Sequence, residues 1–165
     1  MPSDAVLHQA AALCLTRPDD GLRARLPLVR EAAPQLREFT DHAALTPLRE
    51  LTAHYVRVFD GEGANSLYLG GWQDGGAGRT GSPAVRLEDL YREHGLEVGG
   101  AERADFLPAV LEYAARTGDT GPLVEHRDGL ERLRSRLTGL GTPYTCVLDA
   151  VCATLPTVCT RPRRP

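Results

Sequence analysis

Asp105 and Glu112 stand seven positions apart in an otherwise largely apolar stretch, Glu102-Arg103-Ala104-Asp105-Phe106-Leu107-Pro108-Ala109-Val110-Leu111-Glu112-Tyr113. On a helix that spacing puts both carboxylates on nearly one face, beside a stripe of Leu107, Val110, Leu111 and Ala114. An acidic rail against an apolar stripe suits recognition of a basic, apolar peptide. It does not suit catalysis, because no nucleophile, second base or metal-ligand pattern stands near it in the sequence. Each carboxylate also has a plainer local use. Asp105 can cap a helix, and Glu112 can pair with Arg116 in the favourable i,i+4 order.

Other chemistries find less support. Gly76-Ala77-Gly78-Arg79-Thr80-Gly81 fits G-x-G-x-x-G, with Glu102 downstream at the distance of a ribose contact, but no buried strand precedes it and no βαβ alternation follows. Arg79 stands where a phosphate loop needs Lys, and the chain contains no Lys at all. His8, His42, His54, His94 and His126 show no ligand spacing, and Ser66 lacks the surroundings of a serine nucleophile. Cys14, Cys146, Cys152 and Cys159 form no C-x-x-C, so reduced, mostly buried thiols are expected.

The elements that must carry these residues are helices. Leu and Ala dominate and no period-2 alternation occurs. Ser3 or Asp4 opens a helix over 5–15, and a second follows Asp19-Asp20, with Pro27 kinking it or shifting its start. Pro34 makes the next stretch irregular or a short helix. Thr46-Pro47, Ser82-Pro83 and Thr142-Pro143 each read as a hydroxyl cap followed by a first-turn proline. Asp105 is expected to cap a helix that ends near Gly118. One amphipathic helix is expected over 122–137, and a last one over 144–155, stopped by Pro156. Residues 60–81 hold eight glycines and the sole tryptophan, Trp72, and read as a long loop with a helical turn or two at Ser66–Leu69. The expectation is an all-α, single-domain bundle of six to eight helices over residues 1–156, with one long Gly-rich loop and a disordered basic tail at 157–165.

With 165 residues the chain can bury one substantial core. Three of its 19 basic residues fall in the last five positions, leaving residues 1–160 with a net charge of −6, which argues against nucleic acid as a partner. Neither a secretory signal nor an 18-residue apolar run is present, so a soluble, cytoplasmic protein is expected, without stable membrane insertion.

Taken in order, Tyr55-Val56-Arg57-Val58-Phe59-Asp60, Ser66-Leu67-Tyr68-Leu69, Arg79-Thr80-Gly81, Tyr91 with Gly95, and Glu102 through Tyr113 resemble the NarJ family. These are molybdenum-cofactor assembly chaperones of respiratory nitrate reductase, also called its delta subunit, within the TorD-like redox-enzyme maturation chaperones. The resemblance runs over residues 53–116, with a weaker stretch from Pro143-Tyr144 to Pro156. Glu102, Asp105, Leu107, Pro108, Leu111 and Glu112 match the family's acidic signature; Phe106 replaces its His and Arg103-Ala104 its Leu-Pro.

The resemblance implies a non-enzymatic chaperone with no stably bound cofactor of its own. Its partner would be the N-terminal peptide of the apo catalytic (alpha) subunit of nitrate reductase, held while the molybdenum cofactor is inserted. The expected peptide site is a groove between the helices at 46–59 and 105–117. Tyr55, Phe59, Phe106, Leu107, Leu111 and Tyr113 would supply area, and Asp60, Glu102, Asp105 and Glu112 charge. Two other readings remain open: a nucleotide-binding helical switch using the glycine loop, and a structural helical adaptor retained in a redox complex.

Overall fold

The hydroxyl of Ser3 accepts from the Val6 N–H at 3.3 Å and opens α1 (Asp4–Cys14), as its residue type predicts. Eight more α-helices follow in the computed structural model, which describes residues 3–60, 65–72, 83–96 and 103–156. They are α2 (Asp20–Ala32), α3 (Arg37–Leu45), α4 (Leu48–Tyr55), α5 (Pro83–Glu93), α6 (Leu107–Thr117), α7 (Gly121–Glu125), α8 (Arg127–Leu140) and α9 (Tyr144–Thr154). Among the described residues the one extended pairing is a single antiparallel bridge, Tyr68 to Phe106. The all-α bundle is therefore the fold. The glycine motif at 76–81, Ser82, Glu102 and the tail at 157–165 lie outside the described residues.

Several boundaries differ from the local reading, each for a physical reason. Helix α2 runs through Pro27 because Leu22, Leu26 and Val29 are buried while Pro27 faces solvent, where the carbonyl it leaves unpaired can be hydrated. Thr46 does not cap α4. Its hydroxyl donates back to the His42 carbonyl at 2.7 Å and closes α3, and Pro47 holds the N-cap position. The helix expected over 122–137 breaks at His126 into α7 and α8, and the His126 ring lies 2.9 Å from the Pro122 carbonyl through Nδ1. Beyond α4 the chain widens into a π-turn, Val56–Asp60. Gly118, at φ 75°, ends α6 in the left-handed conformation that its residue type allows.

Helix α1 is the centre. Leu7, Ala10, Ala11 and Cys14 are buried, and its most extensive packing is against α6, with further contact to α9 and α2. From α6, Leu107, Val110 and Leu111 meet no solvent. Each such leucine contributes about 1.5–3 kcal/mol of burial. A second centre is aromatic. Fully buried Tyr144 lies 4.9 Å from both Phe39 and Phe59, stacks on His54 at 5.8 Å, and meets Tyr55 edge-on at 6.0 Å. Cys14 and Cys152 are buried and Cys146 is half-buried; all three are free thiols, and burial pushes Cys146 and Cys152 up to about 11. No helix among the described residues is long and apolar enough to cross a membrane.

Two histidines tie distant elements. His8 Nε2 shares a hydrogen bond with Thr154 Oγ1 (2.9 Å), joining α1 to α9, and His54 Nε2 shares one with Thr142 Oγ1 (2.7 Å). Burial lowers the pKa of both from the ordinary value of 6.5, and Arg57 and His42 depress His54 further. The unfolded chain therefore binds more protons in mild acid than the folded one. The stability these residues contribute is complete above the unfolded pKa and is lost as pH falls through it. The melting temperature should fall between about pH 7.5 and about pH 5.5, and the double variant H8Q/H54Q should flatten that slope when both proteins are followed by circular dichroism.

Candidate functional site

The entry to α6 is fixed by a strap formed by residues 66–72. The Leu69 N–H donates to the Asp105 carbonyl (2.9 Å), and the Leu107 N–H to the Leu67 carbonyl (2.7 Å). The rings of Tyr68 and Phe106 then lie 5.0 Å apart. At the centre is the Asp105 carboxylate, 1% exposed. The Gly70 N–H donates to its Oδ2 (2.9 Å), and Arg103 donates to both oxygens, Nε to Oδ1 (3.0 Å) and Nη2 to Oδ2 (2.9 Å). The Arg103 guanidinium also covers the face of Tyr68, 4.9 Å from the ring centroid. The Tyr91 hydroxyl closes the corner by donating to the Ala104 carbonyl at 2.7 Å.

This corrects two expectations. Asp105 does not cap α6: the N-cap is Phe106, without a side-chain bond, and Asp105 precedes it and turns inward. It therefore forms no rail with Glu112. The turns expected at Ser66–Leu69 are instead the bridge at Tyr68 and a 3₁₀ turn over Leu69–Gly71.

Glu112 itself faces water, 44% exposed, with Oε1 accepting from Arg116 Nη2 at 2.7 Å. That is the i,i+4 pair its sequence position allows. An exposed pair of this kind holds at most about 1 kcal/mol, so Glu112 is not committed to the fold. It borders a cleft of 440 Å³ between α1, α6 and the end of α5. Leu13, Leu96, Pro108 and Ala109 give the cleft its apolar surface; Gln9, Thr16, Arg103, Glu112 and Arg116 give it polarity. The Tyr113 ring forms part of the wall, with its hydroxyl donating to Asp119 Oδ2 at 2.6 Å. Burial and that hydrogen bond push the Tyr113 hydroxyl up to about 12, while the same bond and the Gly121 N–H hold Asp119 below the usual carboxylate range. Tyr113 is therefore a neutral surface here. The cleft presents apolar area edged by one carboxylate, Glu112, and two guanidinium groups, Arg103 and Arg116, which are ion-paired with Asp105 and Glu112 respectively.

The nitrate reductase delta subunit family matches this chain over residues 24–147. The chain belongs to that family. It is similar to the Bacillus subtilis protein described as the nitrate reductase molybdenum cofactor assembly chaperone NarJ, at 27% identity over 163 residues that cover 91% of this chain and 88% of that protein. It is 33% identical over 111 residues to the nitrate reductase-like protein NarX of Mycobacterium tuberculosis, covering 66% of this chain. The chain spans 17% of that longer relative. Its fold is that of a protein from Archaeoglobus fulgidus described as a redox enzyme maturation protein, with TM-score 0.70, 17% identity, and coverage of 91% of this chain and 92% of the other.

Within this delta-subunit fold the expected site residues separate into groups. Tyr55 and Phe59 turn into the aromatic core rather than line a groove: the Tyr55 hydroxyl donates to the Leu15 carbonyl (3.0 Å), and Phe59 packs on Tyr144. Leu107 and Leu111 are fully buried and Phe106 nearly so. Asp60 is exposed at the end of the π-turn, and Glu102 lies outside the described residues. Glu112 and Tyr113 do reach the cleft, but it opens toward α1 instead of the 46–59 helix. The residues that pattern reading missed are Gln9, Leu13, Leu96 and Arg103. The signal for the first two was present in α1, whose apolar residues wrap further round the helix than one packing face requires.

The strap makes a sharp demand at one glycine. A Cβ on Gly70 would lie 2.8 Å from Asp105 Oδ2, whereas one on Gly71 would meet Ser66 Oγ at an ordinary 3.5 Å. Gly70→Ala should cost about 1–3 kcal/mol in urea denaturation, by disturbing a buried carboxylate and its donor. Gly71→Ala should change stability by less than about 0.5 kcal/mol.

Proposed function

We propose that this chain is a system-specific maturation chaperone for a respiratory nitrate reductase. In the cytoplasm it holds the N-terminal segment of the apo catalytic subunit and keeps that subunit open for molybdenum cofactor insertion and complex assembly. Family membership over residues 24–147 carries the reading. The cleft beside Glu112 supports it, because its apolar patches beside the exposed Glu112–Arg116 pair suit a peptide that combines apolar with charged residues.

The chaperone catalyses nothing on this account and keeps no cofactor; the molybdenum cofactor is cargo of the client. Glu112, Tyr113 and Arg103, with Leu13, Leu96 and Ala109, form the gripping surface. Asp105, Leu107 and Leu111 act behind it, by setting where α6 begins and which face it turns outward. Release follows if the loaded, closed client presents its N-terminal segment less well, since a partner shifts an equilibrium only by its differential affinity for the two states.

Isothermal calorimetry with a synthetic peptide of the nitrate reductase catalytic subunit's N-terminus tests the reading. Saturable binding is expected, and Glu112→Arg should weaken it about tenfold or more while leaving the circular dichroism spectrum unchanged. Wild-type protein that is folded yet binds no such peptide would overturn the proposal.

A further inference from the structure

Arg103 belongs to two parts of the molecule at once. It lines the cleft, and it also holds the strap: Nε and Nη2 donate to Asp105, and the guanidinium covers the Tyr68 ring. Among the described residues that line the cleft, it alone donates to the Asp105 carboxylate.

A guanidinium carries five N–H donors in a planar fork. Asp105 takes one from Nε and one from Nη2, and Nη1 makes no hydrogen bond among the described residues. The side chain of Arg103 is 61% exposed, whereas Asp105 behind it is closed to solvent. An incoming group therefore meets the guanidinium and not the carboxylate. The other charges of the cleft, Glu112 and Arg116, are paired with each other. The free edge of Arg103 calls for an oxygen acceptor, and a carboxylate makes the stronger, charge-assisted bond.

Relative strengths decide how such a bond acts on the strap. Drawing Arg103 away would leave a buried carboxylate with the Gly70 N–H alone, a greater loss than one exposed ion pair returns. The ligand thus adds to the free edge while Asp105 stays held. Gripped from both sides, the guanidinium has less freedom to swing off Asp105 and Tyr68, and the strap opens less often.

We propose that Arg103 couples the cleft to the strap: a carboxylate of the bound segment bonds its free edge, and occupancy closes residues 66–72 more firmly over Asp105. This rests on the peptide-binding reading and adds to it an acidic contact and an internal response.

The test compares the catalytic-subunit peptide with a copy whose Asp and Glu are replaced by Asn and Gln and whose C-terminus is amidated. By calorimetry, wild type should bind the carboxylate-free copy about fivefold or more weakly, and Arg103→Gln should distinguish the two by less than about twofold. A purely structural role for Arg103 would weaken both peptides alike and leave the wild-type ratio unchanged. Hydrogen exchange gives the second readout. With the parent peptide at saturation, the Gly70 N–H should exchange about fivefold or more slowly relative to the core amide of Val110, and the carboxylate-free copy at saturation should not produce this. Equal affinity of wild type for the two peptides, or Gly70 exchange that does not respond, would overturn the coupling and leave the cleft standing. Absence of binding of either peptide by wild type would remove the peptide reading and this inference together.

Discussion

A carboxylate buried to 1% exposure has to be met by donors, and the way Asp105 is met organises this molecule. One partner is distant in sequence and the other local: the Gly70 N–H comes from a segment 35 residues earlier and the Arg103 guanidinium from two residues earlier. Satisfying both draws the 66–72 strap against residues 105–107 and delivers Phe106 as the N-cap of α6. With that starting point set, Leu107, Val110, Leu111 and Ala114 face the core while Ala109, Glu112 and Arg116 face outward. One buried charge thus decides which side of α6 is structure and which is surface.

The seam between α1 and α6 carries that decision to the surface. Alanines at 10, 11 and 12 let the helices approach closely, and the small side chains at 5, 109 and 115 leave shallow hollows along the outer edge of the same seam. On the proposed peptide reading, stability and recognition draw on one pair of helices. The core is completed elsewhere, by the aromatic cluster around Tyr144, so the outward side of the seam can stay open without weakening the bundle.

Features decided by neighbours along the chain could be read from the sequence. Ser3 as a cap, Gly118 as a stop, the Glu112–Arg116 pair and the end of α9 before Pro156 all follow from side chains within four residues. So did the all-helical class, and the order of short motifs pointed to the delta-subunit family. What escaped was decided at a distance. Asp105 looks like an N-cap because its local surroundings allow one, and the competing donor on Gly70 cannot be seen from position 105. Tyr55 and Phe59 look like groove residues by type, but Leu15 and Tyr144 claim them. The share of α1 in the cleft stayed unassigned because a helix that is apolar on more than one side does not reveal which side meets α6.

Trp72 lies in the strap, its indole Nε1 donating to the Ser66 carbonyl at 2.8 Å and its ring 6.5 Å from that of His126. It is the only tryptophan in the chain and does not line the cleft beside Glu112. Nature has thus placed the molecule's single optical label on the latch rather than in the groove. Its emission reads whether residues 66–72 stay closed over Asp105, and a ligand can occupy the seam in spectroscopic silence unless the latch moves with it.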